Sequence, residues 1–252
     1  MLRGFQLTKQ QIETFMFSGY VIVRRVFDAQ EMVKIDTWAR EVENTPIDSG
    51  RYWVYGEKSQ LEPGRTIICR IENIISHHLG FMSLNTILQK AVGQLLGEPA
   101  ILFKDKINFK MPGGDGFKPH QDQQAGWDKY ADFFISAMVC IDEATIENGC
   151  LQMVSGHHRR GLFRRWEPLT VTDMVNMTFV PIPTKPGDVA FFDCYTPHAS
   201  EPNLTQRTRR LFFATYNAAS KGNHMQRYYA DKHESFPPDV DRELGKEYRF
   251  RV

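Results

Sequence analysis

The first hundred residues carry apolar side chains in both helical and extended periodicities. Residues 8–11 and 28–31 are capping-box sequences, and each predicts the start of a helix. The first helix is expected to end near Gly19, where the apolar run at 20–23 predicts a strand. After the second box, apolar residues recur at the spacing of an amphipathic helix. The elements predicted next are a strand at 66–71 and a helix at 83–96.

After residue 98 the pattern changes to short apolar segments separated by Gly, Pro and Asn. Segments of this kind predict strands, and a succession of them predicts an antiparallel barrel of the jelly-roll type. The expected fold class is therefore mainly β with a helical buttress. The predicted strands are 101–111, 133–141, 150–154, 178–182, 188–193 and 210–217.

The organisation of the chain predicts one domain. We see no internal repeat, low-complexity tract or linker, and 252 residues suit one barrel with helical additions. Within the domain 1–252, residues 1–98 are expected to form a mostly helical layer, 99–220 the β-barrel core and 221–252 a C-terminal tail. Residues 44–66 are rich in Gly, Pro and charge and are interpreted as a long loop, with aromatic residues that suit a lid.

Composition narrows the range of partners. The hydrophobic fraction of 42% and charged fraction of 24% are typical of globular proteins, and a formal charge of +1 argues against nucleic acid. No stretch has the length of a signal-peptide core or a membrane span. The four cysteines show no metal-type pairing and favour buried thiols in a reducing compartment. We expect a cytoplasmic protein that acts on a small molecule, with no membrane partner and an oligomeric state that composition leaves unknown.

Candidate metal chemistry rests on His120, Asp122 and His198. Two imidazoles and one carboxylate form the three-point face that binds non-haem Fe(II) and leaves the opposite positions open. In an extended segment, residues i and i+2 point the same way. His120 and Asp122 can therefore bind one ion if they end a strand, and His198 must come from another strand. A polar turn and a buried hydrogen-bonded histidine would explain any one of these residues, but not the ordered set.

Four further segments occur in a fixed order around these residues. They are KINFKMPG at 106–113, ENGCLQ to SGH within 147–157, KPGDVAFF at 185–192 and NLTQRTRR at 203–210. Together they resemble the phytanoyl-CoA dioxygenase family over about residues 100–217. The resemblance implies a double-stranded β-helix, a cupin-like barrel, that binds Fe(II) through His120, Asp122 and His198. It also implies 2-oxoglutarate as cosubstrate and O₂ as oxidant.

The resemblance also implies how the cosubstrate is held. Arg209 matches the family position that anchors the distal carboxylate of 2-oxoglutarate, and a guanidinium fork matches carboxylate geometry. Arg207 and Arg210 compete on the residues alone, and strand alternation allows only one of Arg209 and Arg210 inside. Asn108 is a second candidate contact, by resemblance to the ectoine hydroxylases. The alternative for Asn108 is a polar residue on an edge strand.

Charged residues on two predicted strands suggest how a substrate is recognised. Lys104, Lys106, Asn108 and Lys110 alternate along one strand and share a face. A solvated sheet face would explain them, but the same face would hold Asn108. Aromatic rings elsewhere offer faces for a quaternary ammonium group or serve as ordinary packing. The substrate-binding candidates are Lys106, Arg70, Glu72, Tyr52 and Trp127.

We therefore predict an Fe(II)/2-oxoglutarate-dependent hydroxylase that acts on an unactivated C–H bond. The expected substrate is a small charged or zwitterionic metabolite, ectoine-like or aminoalkylphosphonate-like. One alternative is a natural-product tailoring oxygenase, which would need a more apolar pocket. Another is a non-catalytic metal-binding or ligand-sensing barrel. Halogenation is disfavoured because Asp122 occupies the position that family halogenases give to a small residue.

Overall fold

Eleven strands and four α-helices, with short 3-10 segments, form the regular structure of the described residues, 2–47 and 50–249 of a computed structural model. The helices are α1 (Lys9–Ser18), α2 (Ala29–Glu43), α3 (Leu79–Leu96) and α4 (Met225–Ser235). The strands are β1 (Tyr20–Val23), β2 (Trp53–Lys58), β3 (Thr66–Glu72), β4 (Ala100–Lys110), β5 (Phe117–His120), β6 (Ile135–Cys140), β7 (Leu151–Met153), β8 (Val180–Pro181), β9 (Val189–Asp193), β10 (His198–Ser200) and β11 (Arg209–Ala218).

The strands form two antiparallel sheets. The larger has the order β1-β9-β6-β11-β4-β3-β2, and the smaller has the order β5-β10-β7-β8. Successive strands of the barrel are divided between the two sheets, as the jelly-roll prediction requires. Apolar side chains from both sheets, including Met138 and Phe213 of the larger and Leu151 and Met153 of the smaller, form one buried cluster. The sheets therefore pack face to face.

The centre of the large sheet is the long pair of β4 and β11, which runs from Arg209 with Lys110 to Ala218 with Ala100, with a register shift between Thr215 and Tyr216. Successive side chains point to opposite faces of a strand. One face presents apolar residues such as Ile107 and Phe212 to a core that includes the helical residues Phe81, Leu84 and Ile35. The other face, which carries the lysines of β4, is turned toward the small sheet.

Helices α1, α2 and α3 cover the outer face of the large sheet, and the two predicted capping boxes are present. The Thr8 and Asp28 side chains accept hydrogen bonds from the backbone N–H groups of Gln11 and Glu31. The first helix ends at Gly19, whose φ of 84° is the left-handed conformation that glycine tolerates. Among the described residues, no helix combines the length and apolar character needed to cross a membrane.

Two sequence predictions need correction. Residues 44–66 contain β2, which pairs with β3, so the described part of this segment is not one long loop; residues 48 and 49 lie outside the described residues. The third helix starts at Leu79 instead of Ser83, because Nδ1 of His78 accepts hydrogen bonds from the first backbone N–H groups. The N-terminal layer also supplies three strands, β1, β2 and β3, to the large sheet.

The C-terminal segment, predicted only as a tail, contains α4. Its aromatic residues Tyr228 and Tyr229 are buried against the barrel. The Tyr229 hydroxyl donates to the Asp105 carbonyl at 3.2 Å and accepts from the Asn73 N–H at 3.2 Å and the Asp105 N–H at 3.3 Å. These bonds fix α4 to the residue that follows β3 and to the middle of β4. The last three residues of the predicted tail, 250–252, lie outside the described residues.

We predict that Tyr229→Phe destabilises the fold through α4. The variant keeps the aromatic ring but leaves backbone N–H groups without their acceptor, which costs about 1–3 kcal/mol for buried groups. Urea denaturation should show this loss of unfolding free energy. The control Tyr248→Phe removes a hydroxyl whose contacts with Glu243 are exposed, and it should change the unfolding free energy little. Equal stability of the two variants would contradict this role for Tyr229.

Candidate metal centre

Two imidazoles and one carboxylate converge on the inner side of the small sheet. Single ligand atoms of His120, Asp122 and His198 lie within 4.8 Å of one another. The two imidazole centroids are 4.2 Å apart, and Nε2 of His198 is 4.0 Å from Oδ1 of Asp122. All three side chains line a cavity of about 490 Å³ that lies between the sheets. One metal ion at this point would be within reach of all three.

Strand register brings the three residues together. His120, at the end of β5, is the direct cross-strand partner of His198, at the start of β10. Asp122 does not lie in a strand as expected, but begins the 3-10 segment Asp122–Ala125. Gln121 between them is extended, with φ −113° and ψ 137°. The alternation of side chains therefore continues for one residue past the strand, and His120 and Asp122 face the same way.

The backbone sets the orientation of both imidazoles. Nδ1 of His120 lies 2.7 Å from the Lys118 carbonyl oxygen, and Nδ1 of His198 lies 2.9 Å from that of Thr196. Because a carbonyl oxygen only accepts, each Nδ1 carries the proton and each Nε2 presents a lone pair. This is the tautomer that binds a metal. Burial, with the neighbouring His198, lowers the pKa of His120 to about 3, so its ring stays neutral.

Asp122 is placed as a charged ligand. Its Oδ2 accepts a hydrogen bond from the Ser136 hydroxyl at 3.2 Å, and that hydroxyl is 2.9 Å from the hydroxyl of Thr215. Burial acts to raise the pKa of Asp122, but the two imidazoles and two nearby lysines outweigh it and hold the pKa below its usual value. Two neutral nitrogens and one carboxylate on one side of an ion are the donor set of non-haem Fe(II).

Gln121 is a residue of the centre that sequence reasoning missed. Its side chain is fully buried and points away from the ligands. The amide nitrogen donates to the carbonyls of Gly161 and Tyr195, at 2.8 and 2.7 Å, while the amide oxygen accepts from the Phe163 N–H at 2.9 Å. One side chain thus joins the loop of His120 and Asp122 to the loop before His198. The only sequence signal for this role was the position of Gln121 between two predicted ligands in the motif His120-Gln121-Asp122.

The two adjacent arginines of β11 face opposite sides. Arg210 forms ion pairs with Asp142 at 2.7 Å and with Asp36 of α2, which places it on the helical side. Arg209 is 97% shielded from solvent and lines the cavity. Among the described residues no acidic side chain pairs with Arg209, and its Nε has no hydrogen-bond partner. Burial lowers the pKa of Arg209 to about 10, so the guanidinium remains charged.

The polar face of β4 is buried, so the explanation as a solvated sheet face does not hold. Lys104 and Asn108 are each 8% exposed and Lys110 is 3% exposed. The ammonium group of Lys110 is already bound by the Ser200 hydroxyl at 2.8 Å and by the Glu201 carbonyl. Asn108, which lies opposite Leu211 of β11, lines the cavity, and its Oδ1 has no hydrogen-bond partner among the described residues.

Lys104 and Lys106 bring two ammonium groups into the cavity beside Asp122. Within the part of the chain that the structure describes, neither has an ion pair or a hydrogen bond from its Nζ. Lys104 Nζ lies 4.7 Å from the ring centroid of Trp127, and Lys106 Nζ lies 5.1 Å from that of Phe213. Burial, with the charges of Lys104 and Arg70, lowers the pKa of Lys106 to about 7.

The candidate residues Arg70 and Glu72 of β3 are joined to each other instead of standing apart. Arg70 Nε is 2.7 Å from Oε1 of Glu72, and the Lys232 ammonium of α4 binds Oε2. Arg70 lines the cavity, whereas Glu72 is fully buried behind these two cations. Burial acts to raise the pKa of Glu72, but Lys232, Arg70 and Lys104 hold it at about 2. Glu72 is therefore occupied and does not offer a carboxylate to a substrate cation.

The two aromatic candidates are placed differently. Trp127 is buried and lines the cavity, where its ring contacts Phe103 and Phe134. Tyr52 belongs to the main hydrophobic core and packs against His77. It is not among the described residues that line the cavity. We therefore correct the expectation that Tyr52 contacts substrate. Tyr52 directly precedes β2, and the alternation of side chains there turns its ring toward the core.

This fold and donor set define the class of Fe(II)/2-oxoglutarate-dependent dioxygenases, and comparison with known proteins agrees. The chain belongs to the phytanoyl-CoA dioxygenase (PhyH) family, whose sequence profile matches residues 16–211. It is 35% identical to a 2-aminoethylphosphonate dioxygenase of the uncultured bacterium HF130_AEPn_1, over 96% of this chain and 93% of that protein. It is also 35% identical to a methylphosphonate hydroxylase of Gimesia maris, over 97% and 93%.

Solved structures share the fold. EctD from S. alaskensis, crystallised with 2-oxoglutarate and 5-hydroxyectoine, superposes with a TM-score of 0.74 over 85% of this chain and 77% of that one, at 24% identity. The predicted double-stranded β-helix is thus confirmed. So is the predicted reaction class, because family and relatives are Fe(II)/2-oxoglutarate-dependent dioxygenases. The cofactors are Fe(II) and 2-oxoglutarate, with O₂ as the oxidant.

Asp122→Ala is predicted to remove the only negative donor of the centre. Loss of partners outside the ligand shell typically weakens metal affinity by about 10–100-fold, and loss of a ligand should exceed that. Anaerobic Fe(II) titration and succinate formation should both fall steeply, as they should for His120→Ala and His198→Ala. Asp132→Ala, which removes an exposed carboxylate, is the control. Normal Fe(II) affinity in the Asp122 variant would overturn the ligand assignment.

A second prediction separates the two arginines of β11. If Arg209 binds the distal carboxylate of 2-oxoglutarate, Arg209→Ala loses a charge-assisted pair worth roughly 2–5 kcal/mol. The KM for 2-oxoglutarate should rise by about 30-fold or more. Arg210→Ala should instead lower the unfolding temperature, because Asp142 loses its cationic partner and Asp36 keeps only Arg40, and change that KM little. If Arg210→Ala raised the KM for 2-oxoglutarate and Arg209→Ala did not, Arg210 instead of Arg209 would be the side chain that faces the binding site.

Proposed function

We propose that this dioxygenase hydroxylates a C–H bond of a small organophosphonate. In this proposal His120, Asp122 and His198 hold the iron, Arg209 and Asn108 hold 2-oxoglutarate, and Lys104 and Lys106 bind the phosphonate group. The substrate would be an aminoalkylphosphonate or a simple alkylphosphonate. The observation that carries the proposal is the pair of cavity lysines, Lys104 buried and Lys106 partly buried, which lie beside the metal centre without an anionic partner of their own among the described residues.

Keeping two unpaired ammonium groups in one cavity is unfavourable in free energy. Burial of an ionised group is unfavourable unless it is paired and hydrogen-bonded, and Lys104 and Lys106 also repel each other, as the lowered pKa of Lys106 reflects. A ligand that brings negative charge and several acceptor oxygens would remove both costs. A phosphonate has three such oxygens and up to two charges, so it can accept from both lysines at once.

The relatives support this choice of anion. Two proteins that match nearly the whole chain at 35% identity are named for phosphonate substrates, 2-aminoethylphosphonate and methylphosphonate. An ectoine dioxygenase of Bordetella bronchiseptica is less similar, at 25% identity over 84% of the chain. The cationic part of either zwitterion, ectoine or 2-aminoethylphosphonate, would have to be bound by groups other than Glu72, which Arg70 and Lys232 already hold.

The chain's own residues place the reactants. When bound, the iron supplies the activation of O₂ that oxidises 2-oxoglutarate and hydroxylates the substrate. Arg209, at the far end of the inner face of β11, would orient the cosubstrate, and Asn108 beside it would add a polar contact. Lys104 and Lys106 would hold the phosphonate so that the adjacent carbon lies near the metal. Phe192 and Phe213 line the same cavity and limit the entry of water.

Alternative functions fit the cavity less well. A natural-product scaffold would need a predominantly apolar pocket, but this one is lined by Arg70, Lys104, Lys106, Lys232 and Arg209. A sensing barrel would not need a complete oxygenase donor set. The remaining expectations, a cytoplasmic location and the absence of a nucleic-acid partner, are part of the proposal. The four cysteines support the location, because all are free thiols.

Lys106→Met tests the phosphonate subsite. The variant keeps an apolar stem against Phe213 but loses the charge, so affinity for methylphosphonate or 2-aminoethylphosphonate should fall by about 30-fold, equivalent to roughly 2 kcal/mol. Succinate formation without substrate and the KM for 2-oxoglutarate should stay near normal. Lys90→Met, on the exposed side of α3, is the matched control.

Two results would overturn the proposal. One is a wild-type enzyme whose 2-oxoglutarate turnover no organophosphonate stimulates. The other is an unchanged phosphonate affinity in Lys106→Met while the fold, measured by circular dichroism, is intact. Stimulation by an ectoine-like zwitterion in place of phosphonates would move the function to the other substrate class predicted from the sequence.

A further inference from the structure

Lys232 enters the substrate cavity from a part of the chain outside the shared family core. The family profile ends at residue 211, whereas Lys232 lies on α4, one helical turn after Tyr228. Residues four apart share a helix face, and both side chains line the cavity. The Tyr228 ring lies 4.6 Å from Phe103 and anchors this face of α4 to the barrel. The ammonium group of Lys232 is thereby held at a defined point.

The contact that Lys232 makes there is with the carboxylate of Glu72. This group is fully buried, with Oε2 bound by Lys232 and Oε1 2.7 Å from Nε of Arg70. Lys104 is close enough to lower the pKa of Glu72 as well. Glu72 is thus the only acidic residue of β3 or β4 that is in contact with the cations of the cavity among the described residues, and Lys232 is one of the two groups that neutralise it.

Lys232 matters because it changes the balance of positive and negative charge in the cavity. Four cations, Arg70, Lys104, Lys106 and Lys232, lie around the carboxylate of Glu72 and the metal ligand Asp122. The other carboxylates that line the cavity are on α4: Asp231 pairs with Lys129, and Glu234 is exposed. This excess suits a doubly charged anion. Without Lys232, the second oxygen of Glu72 would carry uncompensated negative charge beside the phosphonate subsite. In an enclosed cavity such repulsion is screened far less than in water.

We propose that Lys232 is a specificity-determining residue: by neutralising Glu72 and holding it against Arg70, it makes the subsite selective for a doubly charged head group. It acts by positioning charge, and it is not required to touch the reacting atoms. This inference rests on the proposed phosphonate function. It assigns α4, which lies beyond the segment that the family profile matches, the task of selecting the anion.

The first arm of the test measures binding directly. Methylphosphonate and 2-aminoethylphosphonate are titrated calorimetrically into anaerobic enzyme loaded with Fe(II) and 2-oxoglutarate. Lys232→Met should weaken both by at least about tenfold, since a buried charge is left without its partner. Affinity for 2-oxoglutarate should be unchanged. Lys221→Met, which removes a lysine from an exposed ion pair with Asp132, is the control and should bind both phosphonates normally.

The second arm distinguishes charge selection from simple packing. The double variant Lys232→Met/Glu72→Gln removes one charge of each sign and should recover phosphonate affinity to within about threefold of wild type. Lys232→Arg, which keeps the charge, should also bind phosphonate. The preference for methylphosphonate over acetate, a singly charged anion, should shrink in Lys232→Met and return in the double variant. A purely structural role would not produce this recovery.

The outcomes separate this inference from the function on which it rests. If wild-type enzyme binds neither phosphonate, the proposed function fails and the inference fails with it. If wild type binds phosphonate but folded Lys232→Met binds it equally well, only the inference is overturned. It is also overturned if removal of Glu72 fails to restore binding or the methylphosphonate preference. Should Lys232→Met not fold, Lys232→Arg and the double variant decide by the same criteria.

Discussion

The alternation of side chains along β4 is the constraint on which the site depends. One face of this strand must pack against the helices, and Ile107 and Phe109 fill that core. The residues that alternate with them, Lys106 and Asn108, are then turned toward the small sheet, where Asn108 is buried and Lys106 is partly buried. A strand cannot move one set of residues without moving the other. Apolar packing on the outside of the barrel therefore offsets the free-energy cost of placing cationic side chains inside it.

The metal centre depends on backbone geometry more than on side-chain packing. Both imidazoles are oriented by carbonyl oxygens two residues earlier, so their tautomers follow from the path of the chain. Gln121 then joins the two ligand loops through backbone groups of Tyr195, Gly161 and Phe163. Because these contacts lie on the far side from the cavity, substrate pockets can vary around the same centre without disturbing it.

Much of this arrangement follows from local sequence, and the part that does not has identifiable physical reasons. The capping boxes and the long strands β4 and β11 were predictable because their signals extend over many residues. The strands β5 and β10 were not, since their sequences, FKPH and HAS, contain few apolar residues, although their histidines identified the site. Helix α4 is mostly polar, and only its buried Tyr228 and Tyr229 reveal that it packs on the barrel. Arg70 and Glu72 alternate as expected, but sequence could not show that they pair.

These differences suggest a division of labour within the chain. The barrel holds the iron donors and Arg209, the proposed anchor of 2-oxoglutarate, and these lie within the segment that matches the family. In the proposed function, selection of the substrate would depend on charges brought from two sides, β3 and β4 on the sheet and α4 beyond it. Since electrostatic interactions in a cavity reach further than contacts do, a helix that neutralises one carboxylate alters the whole anion subsite. Substrate preference can therefore change through α4 while the reaction chemistry stays constant.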